Sequence, residues 1–89
     1  MPAIQLTIRN AVGLHARPAS LFVQEANKFA SEITVILGED QGDAKSILDL
    51  LLLGASQGAT ITVRAEGPDA ESALQALESL HARNFGEKE

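Results

Sequence analysis

The chain has 89 residues, a net charge of −5 at neutral pH and no cysteine. It is therefore read as one domain over residues 1–89, near the lower end of what folds alone, with neither disulfide nor thiolate-bound metal to support its core. The acidic balance argues against nucleic acid and anionic membranes as partners, three Phe without Trp or Tyr supply little for base stacking, and the longest apolar run, Leu50 to Leu53, is too short to cross a bilayer.

Ala3 to Arg9 alternates apolar Ile4, Leu6 and Ile8 with polar residues and predicts a half-buried strand. That alternating start lacks a basic segment followed by an apolar one, so no signal peptide is expected, and the protein is expected in the cytoplasm. Asn10 to Leu14, with Gly13, reads as a loop. From Ala16 to about Ala30 the spacing of Ala19, Phe22, Val23, Ala26 and Phe29 predicts a helix, with Pro18 in its first turn. Glu32 to Leu37 predicts a second strand, residues 38–42 a turn, and Gln41 to Ala44 a short third strand. Ser46 and Asp49 have the spacing of a capping box at the start of a short apolar helix ending at Gly54. Thr60 to Glu66 alternates again. Gly67-Pro68-Asp69 then opens a last helix whose buried stripe is Ala70, Ala73, Leu74, Leu77 and Leu80. Residues 84–89 read as a frayed tail. The order β-α-β-β-α-β-α, with short connections, predicts an α+β fold with three helices over one face of a mostly antiparallel sheet.

His15 is the informative polar residue. It comes after a glycine-containing loop and precedes a helix, where unpaired N–H groups and the positive end of the helix dipole favour an anion. Arg17, two residues on, carries a guanidinium that forks onto phosphate oxygens. An imidazole is substantially neutral at pH 7 and so can act as a nitrogen nucleophile without a base. On spacing alone two readings stand: a phosphoryl acceptor, or a polar residue at a helix start. No relay of Asp or Ser accompanies His15, which disfavours acyl transfer, and no histidine or carboxylate cluster lies near it, which disfavours a metal. His81 reads as a solvated residue favourable at a helix C-terminus, Lys28 and Lys45 as solvated charges, and Ser46 as a helix cap whose hydroxyl is open to phosphorylation.

The segment Gly13-Leu14-His15-Ala16-Arg17-Pro18-Ala19 resembles the active-site signature of the HPr family, the phosphocarriers of the bacterial phosphoenolpyruvate-dependent sugar phosphotransferase system. Ala44-Lys45-Ser46-Ile47-Leu48 resembles the signature around that family's regulatory serine. Leu53 to Gly58 and the strand after it are also similar, at matching spacing, so the resemblance spans residues 3 to about 83. It implies an open-faced sandwich with strand order 1-4-2-3. It implies a carrier, not an enzyme, working without cofactor or metal. Enzyme I would phosphorylate Nδ1 of His15, and EIIA proteins would receive the group. Arg17 and the backbone N–H groups of Ala16 and Arg17 would hold the phosphoryl oxygens. Ser46 matches the serine that an HPr kinase/phosphorylase modifies in many members, and Lys45, Ile47, Leu48 and Leu51 fall on the docking face. A monomer is expected.

Departures from the family pattern are Val12, where a small polar residue is usual, and Gln24, Asn27 and Asp49, where many members are basic. Two other functions therefore stay open: a carrier in a regulatory, nitrogen-related phosphotransfer branch, and a docking module that acts mainly through Ser46 on a transcription regulator.

Overall fold

Alternation in the strands decides which face of the sheet is covered. In the computed structural model, which describes residues 2–9 and 16–83, the elements run β1 (Ala3–Thr7), α1 (Ala16–Ala26), β2 (Glu32–Leu37), β3 (Asp40–Asp43), α2 (Ile47–Leu53), β4 (Thr60–Glu66) and α3 (Ala70–Ala82). The four strands form one antiparallel sheet in the order β1-β4-β2-β3. Its register sets Leu6 opposite Ile61, Ile33 opposite Ala65 and Val35 opposite Val63, so a period of two sends all six to the same side. All are buried there against Ala19, Phe22 and Ala26 of α1, Leu50 of α2, and Ala73, Leu74, Leu77 and Leu80 of α3. The other side of the sheet carries Gln5, Thr7, Thr34, Thr62 and Arg64, exposed or half-buried.

The stripe expected on the last helix is buried in full, and β2 and β4 begin and end where the alternation placed them. Other features differ. β1 stops at Thr7 instead of Arg9. Ile8 stays buried, but its N–H donates to Ala59 O at 2.8 Å and its carbonyl accepts from Gly58 N at 2.8 Å, outside the regular ladder. The third strand is displaced by one residue, because the hairpin turn is only Gly38-Glu39, with Gly38 at φ 62°. The capping box at Ser46 is only half-formed.

The largest difference is α1, which ends at Ala26, not Ala30. Beyond it the backbone tightens: Lys28 N donates to Glu25 O and Phe29 N to Ala26 O, a three-residue spacing typical of a helix end. The next groups are captured from far along the chain. The Asp69 carboxylate accepts from Ala30 N (2.9 Å), Ser31 N (2.9 Å) and Ser31 Oγ (2.5 Å), and Asp69 N donates back to Ser31 Oγ at 3.2 Å. The Ser31 hydroxyl and the Ala30 amide hold the Asp69 carboxyl below its usual range. Gly67 is required beside this lock. At φ 146° it lies so close that a Cβ would stand 2.6 Å from Ser31 Oγ and 2.7 Å from Ser31 Cα.

Candidate functional site

Among the described residues, no carboxylate lies at the start of α1. A helix leaves its first amides without intrahelical partners. Pro18 has no N–H, so among the described residues Ala16 and Arg17 supply these donors. The first turn of α1 contains no acidic residue, and nothing there opposes the positive end of its dipole. Arg17 is exposed, and its guanidinium makes no ion pair or side-chain hydrogen bond among the described residues. His15 precedes Ala16 directly in the chain. His15, Gly13 and Val12, with the loop expected at 10–14 and the tail at 84–89, lie outside the described residues.

Helix α2 packs against α1 and β3. Ser46 is its N-cap, with extended backbone (φ −117°, ψ 113°), and Ser46 Oγ accepts from Asp49 N at 3.2 Å. Asp49 does not return the bond to Ser46 N. That amide donates to Asp43 O, and Asp49 Oδ2 accepts from Asp43 N at 2.9 Å. The carboxylate therefore ties α2 to β3, where Gly42 leaves room for it: a Cβ at Gly42 would stand 2.9 Å from Asp49 Cβ. Gly54 ends the helix in the left-handed conformation.

The short helix buries Leu50, packs the half-buried Leu53 against the same core, and leaves Ile47 41%, Leu48 63%, Leu51 41% and Leu52 76% exposed. Ile47, Leu48 and Leu51 are the expected docking residues. Leu52 is an addition, and its signal was present in the four-residue step from Leu48. Monomeric proteins rarely leave such a cluster uncovered without a binding role.

Two side chains read as solvated from sequence are structural ties. Lys45 is half-buried and its Nζ donates to Phe29 O at 2.7 Å, closing the end of α1. His81 is half-buried, with Nε2 2.6 Å from Thr7 O, and its own carbonyl accepts from Arg9 Nη2 at 2.5 Å. Lys28 pairs with Glu25 at 3.1 Å. Arg17 and the amides Gln24 and Asn27, in and just after α1, are exposed, as are Ile47, Leu48, Leu51 and Leu52 of α2. Among the described residues no group of three or more His, Cys, Asp or Glu could hold a metal, and no helix is long and apolar enough to cross a membrane.

A family model for the PTS HPr component phosphorylation site matches residues 3–83. The phosphocarrier protein HPr of Mycoplasma capricolum is 46% identical over 77 residues, covering 86% of each chain. The phosphocarrier protein NPr of Shewanella violacea is 43% identical over 83 residues, covering 93% of this chain and 91% of its own. A crystal structure of HPr from Thermoanaerobacter tengcongensis superposes with a TM-score of 0.95 at 46% identity, over 100% of both chains.

Proposed function

Because the chain belongs to the HPr family of phosphotransferase-system phosphocarriers, we propose that His15 accepts a phosphoryl group from phosphorylated enzyme I and passes it to EIIA proteins in sugar uptake. The observation that carries this reading is the open N-terminus of α1, free of acidic residues in its first turn and bearing the exposed Arg17 two residues after His15. The Nδ1 lone pair of a neutral His15 attacks phosphorus, and the bond from phosphorus to the donor nitrogen breaks, returning its electron pair to the donor. No base is needed, because the attacking nitrogen carries no proton. The product gains about two negative charges, which the Ala16 and Arg17 amides and the Arg17 guanidinium offset. Transfer onward reverses the same steps.

The exposed Ile47, Leu48, Leu51 and Leu52 form the docking surface, since desolvated apolar anchors usually dominate such contacts. Lys45, tied to Phe29 O, contributes to it through the helix start more than through charge. Phosphate on Ser46, placed there by an HPr kinase/phosphorylase, adds charge to the edge of this patch and weakens docking; the same change would suit recognition by a transcription regulator. The protein works as a single-domain monomer in the cytoplasm. The similarity to a phosphocarrier NPr supports one second reading, in which the same chemistry serves a regulatory phosphotransfer branch.

Incubation with phosphoenolpyruvate and enzyme I, followed by intact mass measurement, tests the proposal. A phosphoryl adduct that disappears in mild acid is expected, and the absence of any adduct with cognate enzyme I would refute it.

A further inference from the structure

The end of β1 is tied down more heavily than strand pairing requires. Thr7 O faces His81 Nε2 at 2.6 Å; a carbonyl oxygen only accepts, so that nitrogen carries the hydrogen. Ile8 bonds through both backbone groups to the loop before β4. Arg9 O accepts from Gln57 Nε2 at 3.1 Å, and Arg9 Nη2 donates to His81 O at the C-terminal end of α3. Three consecutive residues are thus held by groups far away in sequence, Gln57 lying 48 residues after Arg9 and His81 74 residues after Thr7. Arg9 and Gln57 are exposed, so burial of apolar surface does not account for their arrangement. The position of Arg9 in the chain does: only six residues separate it from the start of α1, and the last of them is His15.

We propose that Arg9, Gln57 and His81 are positioning residues for phosphoryl transfer, a brace that sets the chain entering the His15 segment relative to the N-terminus of α1. This inference rests on the phosphocarrier reading. Transfer to His15 needs phosphorus, Nδ1 and the helix-end donors in line, and small misplacements are expensive: displacement by ~1 Å can slow a reaction by ~100-fold. α1 is fixed on the far side of His15 by its buried Pro18, Ala19 and Phe22. The brace holds the chain at Thr7 and Arg9, before the His15 segment begins, through side-chain bonds to backbone groups that involve no residue of α2.

The test uses the full chain as a substrate of enzyme I, separating kcat from KM in Arg9→Ala, Gln57→Ala and Arg9→Lys, with melting temperatures alongside. Both alanine variants should lower kcat by roughly tenfold, with KM unchanged because docking is elsewhere. Arg9→Lys should recover much of the loss, since an ammonium still donates to His81 O; Gln57→Ala changes no charge and so separates positioning from electrostatics. An unchanged kcat in both alanine variants, a rise in KM alone, or a loss in Arg9→Ala that Arg9→Lys does not recover would each overturn the brace. The chain contains two histidines, so the His81→Ala spectrum assigns the His15 ring proton by NMR. If the wild-type protein takes no phosphoryl group, the carrier reading fails and this resonance alone judges the brace: displacement in Gln57→Ala supports it, and no displacement overturns it.

Discussion

The N-termini of α1 and α3 answer the same physical problem in opposite ways. At α3 the start is rich in carboxylate: Glu71 lies in the first turn, and Asp69, the N-cap residue, directs its carboxylate to Ala30 N and Ser31 instead of to its own helix. At α1 the first turn contains no acid and presents Arg17 to solvent. An acid at a helix start is ordinarily stabilising. Its use at α3, where it also locks β2 in place, and its omission from the first turn of α1 separate a helix start that serves the fold from one whose composition suits the proposed anion site.

The largest expected effect comes from removing the cation at the open end. Phosphoryl transfer is mostly positioning and charge stabilisation. Arg17→Ala should slow acceptance by about a hundredfold or more, on the scale of losing an oxyanion donor. Arg17→Lys should rescue only in part, since a point charge cannot fork. Initial rates of phosphorylation by enzyme I check both.

The closed end should respond in stability and leave transfer chemistry alone. Asp69→Asn should lower the melting temperature at pH 7. The Asp69 carboxyl is held below its usual range, so its stabilisation is complete above the unfolded value of about 3.9 and disappears as pH falls through the lower folded value. The gap in melting temperature between wild type and Asp69→Asn should therefore close on acidification, which thermal scans between neutral and strongly acid pH would show.

Making the open end resemble the closed one is the subtler change. Ala16→Asp should leave the melting temperature equal or higher, by a helix-end contribution of about 0.3–1 kcal/mol. It should nevertheless slow phosphorylation, because the carboxylate occupies the amides and repels the phosphoryl group. Loss of stability together with normal transfer would erase the contrast between the two helix starts.

How much of the molecule was legible in its sequence depends on the range of the interactions. Local periodicity found Leu74, Leu77 and Leu80 on α3 and Ile61, Val63 and Ala65 on β4, because side-chain period alone decides which face they occupy. The Ser46 cap and the Gly54 stop were also legible, each depending on residues within one turn. What escaped was set across the chain. The end of α1 depends on Asp69, 39 residues beyond Ala30, and on Lys45 reaching Phe29 O. The role of His81 depends on Thr7, 74 residues away, and no spacing rule connects them. Asp49 was assigned to its own helix because the capping-box pattern is local, whereas its carboxylate reaches Asp43 on β3. The residues nearest the proposed chemistry, Gly13, His15, Arg17 and Pro18, were singled out by the company they keep within one short segment.

The central claim is that the phosphoryl group is carried at the N-terminus of α1, on His15. The most direct measurement is the intact mass of His15→Ala after incubation with phosphoenolpyruvate and enzyme I, with its melting curve as a control for folding. The variant should melt as the wild type does and acquire no acid-labile adduct. A folded His15→Ala that still gains one would place the carrier site elsewhere in the chain and contradict the account.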